Sequence, residues 1–119
     1  MEKTKYKSFE DIQCWQKSKI LSVQIYKTLQ NNRDFSFRDQ MQRAAVSVMN
    51  NIVEGSERNS YKEFRQFLYV AKASCGEVRS MLYLAKELGY VSEDEFTDLR
   101  DQAVEISKML SGFIKALDF

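Results

Sequence analysis

Residues 92–117 read SEDEFTDLRDQAVEISKMLSGFIKAL, and the apolar positions alternate at spacings of three and four. These positions are Phe96, Leu99, Ala103, Ile106, Leu110, Phe113 and Leu117. The alternation is typical of a helix that packs along the seam of a bundle. Ser92 and Glu95 have the spacing of a capping box, in which the serine accepts from an early backbone N–H and the acid reaches back. The stretch therefore predicts a core helix from about residue 93 to residue 117.

The same serine and acid spacing occurs at three earlier places in the chain. The pairs are Ser8 with Asp11, Ser36 with Asp39, and Ser60 with Glu63. Each pair precedes a segment with helical periodicity, so we expect four helices, at about residues 9–30, 37–58, 61–88 and 93–117. Gly89 is expected to end the third helix as its C′ residue.

The chain has 119 residues and no proline, and the predicted turns between helices are short. Short turns favour antiparallel packing of consecutive helices. We predict an all-α fold, an antiparallel up-down-up-down four-helix bundle. It would be a single domain over residues 1–119, with residues 1–8 as a flexible N-terminus.

No apolar run approaches a membrane span and no secretion signal is present, so a bacterial-type cytoplasm is expected. Cys14 and Cys75 are interpreted as buried free thiols rather than a disulfide.

The second and third predicted helices carry more apolar surface than one core requires. The core stripe of the first helix is predicted as Ile12, Trp15, Val23, Tyr26 and Leu29. That of the second is Phe37, Met41, Ala44, Ala45, Val48 and Ile52, and that of the third is Phe64, Phe67, Ala71, Cys75, Val78, Leu82 and Ala85. Further apolar residues widen the last two stripes: Val46, Met49 and Val53, and Val70, Met81, Leu84 and Leu88. The extra width suggests contact between subunits of a homo-oligomer, although a thick core sealed by neighbouring helices is the alternative.

A polar stripe occupies the remaining arc of the second helix. Its candidate residues are Gln40, Arg43, Ser47, Asn51, Glu54 and Arg58, together with Glu77 on the third helix. Glu77 lies on an apolar flank, where an ionised carboxylate would need a partner, and Arg43 or Arg58 could supply it. The stripe is either a binding site or a buried polar network that fixes helix register or subunit pairing.

The sequence offers no constellation for catalysis, a metal or a cofactor. It contains no histidine, and its four glycines are isolated, so phosphate loops and dinucleotide fingerprints are missing. Glu54 and Glu77 could be imagined as an acid and base pair, but no third group accompanies them. We therefore expect no enzyme, no cofactor and no small-molecule substrate.

The charge is unevenly distributed although the net charge is only +1. Residues 1–91 carry 15 basic and 10 acidic groups, whereas residues 92–119 carry 3 basic and 7 acidic groups. The first three helices could therefore mildly attract a polyanion. The candidate contacts to a nucleic acid are Lys17, Lys19, Arg38, Arg43, Lys62 and Arg65. The alternative is that these groups form an ordinary solvated surface.

Residues 40–60, QMQRAAVSVMNNIVEGSERNS, resemble the signature of a bacterial family of helical bundles. The family comprises proteins encoded in intervening sequences of 23S rRNA genes, also called the S23 ribosomal protein family. The matching positions are Gln40, Arg43, Ala44, Ser47, Asn51, Ile52, Glu54, Gly55 and Arg58. The resemblance extends over about residues 9–91.

The resemblance implies an antiparallel four-helix bundle and, as in some members, a ring-shaped pentamer. A related branch is the accessory variability protein of diversity-generating retroelements, which binds nucleic acid and a reverse transcriptase. We therefore expect a non-enzymatic homo-oligomeric bundle that binds RNA, DNA or a nucleic-acid-handling protein. A protein-interaction scaffold that binds no nucleic acid is the alternative.

Overall fold

The computed structural model describes residues 8–117, which form a short 3₁₀ turn and four α-helices. The turn covers Phe9–Asp11, and the helices are α1 (Gln13–Thr28), α2 (Phe35–Ser56), α3 (Tyr61–Glu87) and α4 (Glu93–Ala116). Each helix packs against two neighbours, in the order α1, α2, α3, α4 and back to α1. The bundle measures 48 × 21 × 20 Å, and its architecture confirms the predicted fold class. The predicted flexible N-terminus lies, apart from Ser8, outside the described residues.

Only two of the four predicted serine caps form as expected. Ser92 makes the full capping box, because its Oγ accepts from the backbone N–H of Glu95 at 3.0 Å while the Glu95 carboxylate accepts from the backbone N–H of Ser92 at 2.8 Å. Ser60 accepts from the backbone N–H of Glu63 at 3.2 Å, but the Glu63 carboxylate meets the Ser60 hydroxyl instead of its backbone N–H. Ser60 is therefore a simple N-cap.

The predicted caps at Ser36 and Ser8 are wrong. Asp34 caps α2 instead, since its carboxylate accepts from the backbone N–H of Phe37 at 3.1 Å. The Asn32 side chain accepts from the backbone N–H of Asp34 at 2.8 Å and holds this cap, so that Ser36 falls inside the first turn of α2. At Ser8 the chain makes only a 3₁₀ turn and then becomes extended at Ile12, and α1 begins at Gln13.

The predicted core of the bundle is correct for three helices and wrong for much of α1. The predicted core residues of α2 are all buried, and those of α3 and α4 are buried except Phe67 and Phe113, which are half-buried. In α1, however, Val23 and Tyr26 are about half exposed. The buried face of this helix comprises Cys14, Ser18, Leu21, Ser22 and Ile25. The Ser18 hydroxyl donates a hydrogen bond to the Cys14 carbonyl at 2.6 Å, and this bond offsets the cost of burying a polar group in the core.

The loops at one end of the bundle are joined by polar and aromatic contacts. Gly89 follows α3 with a φ of 73°, which confirms the predicted C′ glycine. Tyr90 then turns back, so that its backbone N–H donates to the Ala85 carbonyl at 2.8 Å and its ring lies edge-on to Phe37, 5.2 Å between centroids. The turn thereby places the Tyr90 hydroxyl against the N-cap of α2.

Cys14 and Cys75 are buried free thiols, as predicted. Burial raises the pKa of the Cys14 thiol to about 12 and that of the Cys75 thiol to about 11. No helix within residues 8–117 is both long enough and apolar enough to cross a bilayer.

Candidate functional site

The polar stripe of α2 forms a hydrogen-bonded seam with α3 at its middle. The hydroxyls of Ser47 on α2 and Ser74 on α3 lie 2.8 Å apart. The Asn51 side-chain amide, one turn further along α2, donates to the Ser47 carbonyl at 2.8 Å and to the Ser47 hydroxyl at 3.0 Å. All three side chains are half-buried, so these hydrogen bonds satisfy groups that water reaches poorly. The seam therefore links the two helices at a defined register.

The stripe continues toward the end of α2 with Glu54 and Arg58. The Arg58 guanidinium donates to the Glu54 carboxylate at 3.3 Å, the expected pairing for an acid four residues before a base. The guanidinium also lies over the Phe67 ring of α3, 4.7 Å from its centroid. Gly55, which follows Glu54 on α2, is buried, and a Cβ added to it would lie only 2.7 Å from the Phe64 ring. The glycine therefore permits the close approach of α2 and α3.

The expected pairing of Glu77 with Arg43 or Arg58 is wrong. Arg43 pairs with Asp39 at 3.1 Å, and Arg58 pairs with Glu54. Glu77 is exposed and makes no ion pair or hydrogen bond with any residue between 8 and 117. Because water solvates its carboxylate in the single chain, it needs no partner there. Gln40, the first residue of the predicted stripe, is also exposed.

An apolar stripe lies on the outer side of α3 beside this seam. Val70, Leu84 and Leu88 are 48%, 49% and 50% exposed, which is unusual for three large aliphatic residues on one helix. Their spacing keeps them on one side of α3, with Ala73 and Glu77 between them. We call this surface, together with the polar seam, the α2/α3 face. On α2, the additional apolar residues Val46, Met49 and Val53 are half-buried.

The structure does not place Glu54 and Glu77 together. Ser47 and Ser74 mark one level of the antiparallel pair, and the two glutamates diverge from that level in opposite directions. At 1.5 Å per residue they are about 15 Å apart along the bundle axis. Residues 8–117 contain no cluster of histidine, cysteine or acidic side chains that could hold a metal ion.

The six predicted nucleic-acid contacts are dispersed over the bundle. Lys62 and Arg65 lie at the start of α3, whereas Arg38 and Arg43 lie near the start of α2, at the opposite end. Lys17 pairs with Glu105 of α4 at 3.0 Å, and Lys19 lies over the Trp15 ring. Arg38 donates to the carbonyls of Gln30 and Asn32. Most of these cations therefore have local partners.

Sequence reasoning missed a groove between α3 and α4 that carries a denser set of cations. The groove has a volume of about 280 Å³ and is lined by Arg65, Tyr69, Lys72, Ser111, Ile114 and Lys115. We call it the basic groove. Of its three cations, only Arg65 was among the predicted contacts. A signal for Lys72 was present, because basic residues recur every seven positions on α3, at Arg65, Lys72 and Arg79, but this series says nothing about Lys115 on α4.

Comparisons with known proteins agree with the resemblance of residues 40–60. The sequence model of the family described as 23S rRNA-intervening sequence protein matches residues 10–112. A crystal structure from Bacteroides thetaiotaomicron, of a protein of unknown function from the S23 ribosomal protein family, is similar to this chain with a TM-score of 0.81 and 26% identity. The similarity covers 86% of this chain and 98% of that one. No curated protein matches the chain.

Proposed function

Because the chain belongs to the 23S rRNA-intervening sequence protein family, whose solved relative has no known function, we propose a function from its surfaces. The protein is a non-enzymatic homo-oligomer whose subunits pack through the α2/α3 face, and the assembly binds nucleic acid. A pentamer is the expected order of assembly, by resemblance to family members.

The observation that carries the proposal is the half-exposed apolar stripe of Val70, Leu84 and Leu88 beside the polar seam. Several exposed aliphatic side chains along one side of a helix are typical of a contact with another protein. The polar groups at its border, such as Glu54 and Arg58, suit the rim of an interface and could fix its register. Glu77 lies in the middle of the stripe, so a neighbouring subunit would have to supply it with a cation or hydrogen-bond donors.

The mass of the protein in solution tests the assembly. We expect a stable oligomer, and we expect Leu84→Lys to reduce it to smaller species because a lysine would be buried without a partner. Ile20→Lys is the matched control, since Ile20 is equally exposed, at 50%, on α1 and not on the α2/α3 face. A monomeric wild-type protein, or equal effects of the two variants, would contradict the proposed interface.

A salt titration tests the nucleic-acid part. Binding of RNA or DNA that weakens steeply as salt rises from about 50 mM would support it, because phosphate contacts release counterions. An oligomer without salt-dependent affinity would instead favour the scaffold function. The local pairing of Lys17 and Arg43 is the observation that favours this second candidate.

A further inference from the structure

We propose that the basic groove between α3 and α4 holds a single strand of nucleic acid, with phosphates at Lys72 and Lys115 and a base stacked on Tyr69. The inference rests on the proposed function and assigns its binding surface. It places the strand away from most of the cations that the sequence suggested.

The packing of α4 on α3 sets the two walls of the groove. Arg65 donates to the Leu117 carbonyl at 2.8 Å, and the Cys75 thiol donates to the Ala103 carbonyl at 3.1 Å. These contacts fix the antiparallel register, so that Lys72 on one wall and Lys115 on the other line the same groove. A strand lying in it would meet positive charge on both sides.

The cations of the groove continue along both helices. Arg65, Lys72 and Arg79 recur at seven-residue intervals, which advance about 10.5 Å along α3 and keep to one side of it. On α4, Lys108 precedes Lys115 by the same interval. By this spacing, the positive charge extends beyond the groove by one interval on each helix, to Arg79 and Lys108, and on α4 it ends before Asp101. A polyanion fits such an extended run of charge better than a single anion site.

Within residues 8–117, the two lysines that define the groove have no acidic partner. Neither Lys72 nor Lys115 forms an ion pair with any other described residue, and no lining residue carries a carboxylate. The predicted contacts Lys17 and Arg43, in contrast, pair with Glu105 and Asp39. Like charges that share a groove repel one another, and a bound phosphate would relieve that repulsion.

Tyr69 favours a single strand over a duplex. Its side chain is 56% exposed on the groove, and among residues 8–117 its ring contacts no other ring and its hydroxyl makes no hydrogen bond. An exposed aromatic ring beside basic residues is a stacking platform for an unpaired base. The bases of a duplex already stack on each other and do not offer their faces.

The groove and the α2/α3 face can be used at the same time. Val70 and Lys72 are two residues apart on α3, and two residues correspond to about 200° around a helix. They therefore point to nearly opposite sides, and an oligomer built through the α2/α3 face leaves the basic groove open.

The test measures binding of a fluorescein-labelled 20-nucleotide single strand and the matching duplex, by anisotropy, at about 50 to 200 mM salt. Lys72→Glu combined with Lys115→Glu should weaken single-strand binding at least ten-fold. It should also reduce the salt slope by about 1.4, the value for two lost contacts. The matched control, Lys27→Glu with Arg33→Glu, makes the same charge change at exposed residues away from the groove and should have a smaller effect. Tyr69→Ala should cost about ten-fold for the single strand and spare the duplex, whereas Tyr69→Phe should bind normally.

The possible results distinguish a failure of the groove proposal from a failure of the proposed function. If the wild type binds the single strand but the groove and control variants lose equal affinity, only net charge matters and the groove is refuted while the proposed function stands. If the duplex binds more tightly, or Tyr69→Ala has no effect, the single-strand assignment is overturned. If the wild type binds no nucleic acid, both proposals fail. Circular dichroism and solution mass verify that each variant folds and assembles.

Discussion

The Tyr90 hydroxyl donates a 2.7 Å hydrogen bond to the Asp34 carboxylate, which joins the loop after α3 to the N-cap of α2. This bond and the backbone N–H of Phe37 lower the pKa of Asp34, and the same bond raises the pKa of Tyr90. Since the folded state favours ionised Asp34, its contribution to stability is present above the unfolded pKa of about 3.9 and is lost as the pH falls through the folded value. The contribution of Tyr90 is present below about pH 10 and is lost as the pH rises through its raised pKa.

We therefore expect Tyr90→Phe to lower the thermal midpoint at neutral pH. The difference in midpoint between the wild type and the variant should become smaller toward both extremes of pH. Thermal unfolding of the two proteins between about pH 3 and pH 11 measures this difference. Tyr69→Phe is the control, because the Tyr69 hydroxyl makes no hydrogen bond within residues 8–117 and its loss should be neutral. A deficit that stays constant from neutral pH down to pH 3 would show that ionised Asp34 is not the partner.

Gly55 is expected to tolerate no side chain. A Cβ there would lie 2.7 Å from the Phe64 ring and 2.9 Å from the Phe67 Cβ, so α2 and α3 would have to separate. Gly55→Ala should destabilise the protein by about 1 to 3 kcal/mol, as overpacked cores do. At Gly112 an added Cβ would meet no described atom outside its own helical turn within 4 Å, so Gly112→Ala should instead stabilise α4 by about 0.5 to 1 kcal/mol. Urea unfolding of both variants measures these changes, and equal effects would contradict the close packing at Gly55.

The sequence predicts the fold well where burial and hydrophobicity coincide. In α4, six of the seven apolar positions of the predicted seam, all except Phe113, are buried in the structure. In α1 the pattern fails, because Ser18 and Ser22 are buried while Val23 and Tyr26 remain about half exposed. Periodicity that counts only large apolar residues cannot find a core face that contains serines, and it does not show the local hydrogen bond from Ser18 to the Cys14 carbonyl.

The candidate surfaces were also predictable from the sequence only in part. The polar seam of α2 could be located on one helix from spacing alone, because Ser47 and Asn51 are four residues apart. Its partner Ser74 could not, since the contact depends on how α3 packs. The basic groove needs two helices at once, because the series on α3 includes Lys72 but cannot show that Lys115 lies opposite it until α4 is placed beside α3.

The seam itself is testable through a neighbouring pair of asparagines. Asn51 donates two hydrogen bonds to Ser47, whereas the adjacent Asn50 is exposed. Asn51→Ala should cost about 1 kcal/mol of unfolding free energy because it removes both of these hydrogen bonds, whereas Asn50→Ala should be nearly neutral. Chemical denaturation measures the stability, and solution mass shows whether assembly changes as well. A stable Asn51→Ala protein that has lost its oligomer would indicate that the seam acts between subunits rather than within the bundle.

The buried thiols provide a probe of local opening. Because the pKa values of Cys14 and Cys75 are raised to about 12 and about 11, both thiols stay protonated at pH 8. A protonated thiol reacts slowly, since the thiolate is the nucleophile. We expect a disulfide reagent to label neither thiol of the native protein on the timescale at which it labels both in denaturant. Rapid labelling of Cys14 in the native protein would show that the core around α1 opens readily, and rapid labelling of Cys75 would show the same of the core around α3.

The four serines that the sequence pattern marks as helix N-caps can be compared by mutation. Ser92 makes a full capping box, whereas Ser36 lies within the first turn of α2 because Asp34 has taken the N-cap. Ser92→Ala should therefore cost about 1 kcal/mol, and Ser36→Ala should cost less than about 0.5 kcal/mol. Asp34→Ala should be costly where Ser36→Ala is not, because it removes both the cap and the bond from Tyr90. Thermal unfolding of the three variants at neutral pH measures the order. If Ser36→Ala proved as damaging as Ser92→Ala, α2 would begin in solution at the serine that the sequence pattern marks, and the cap at Asp34 would be wrong.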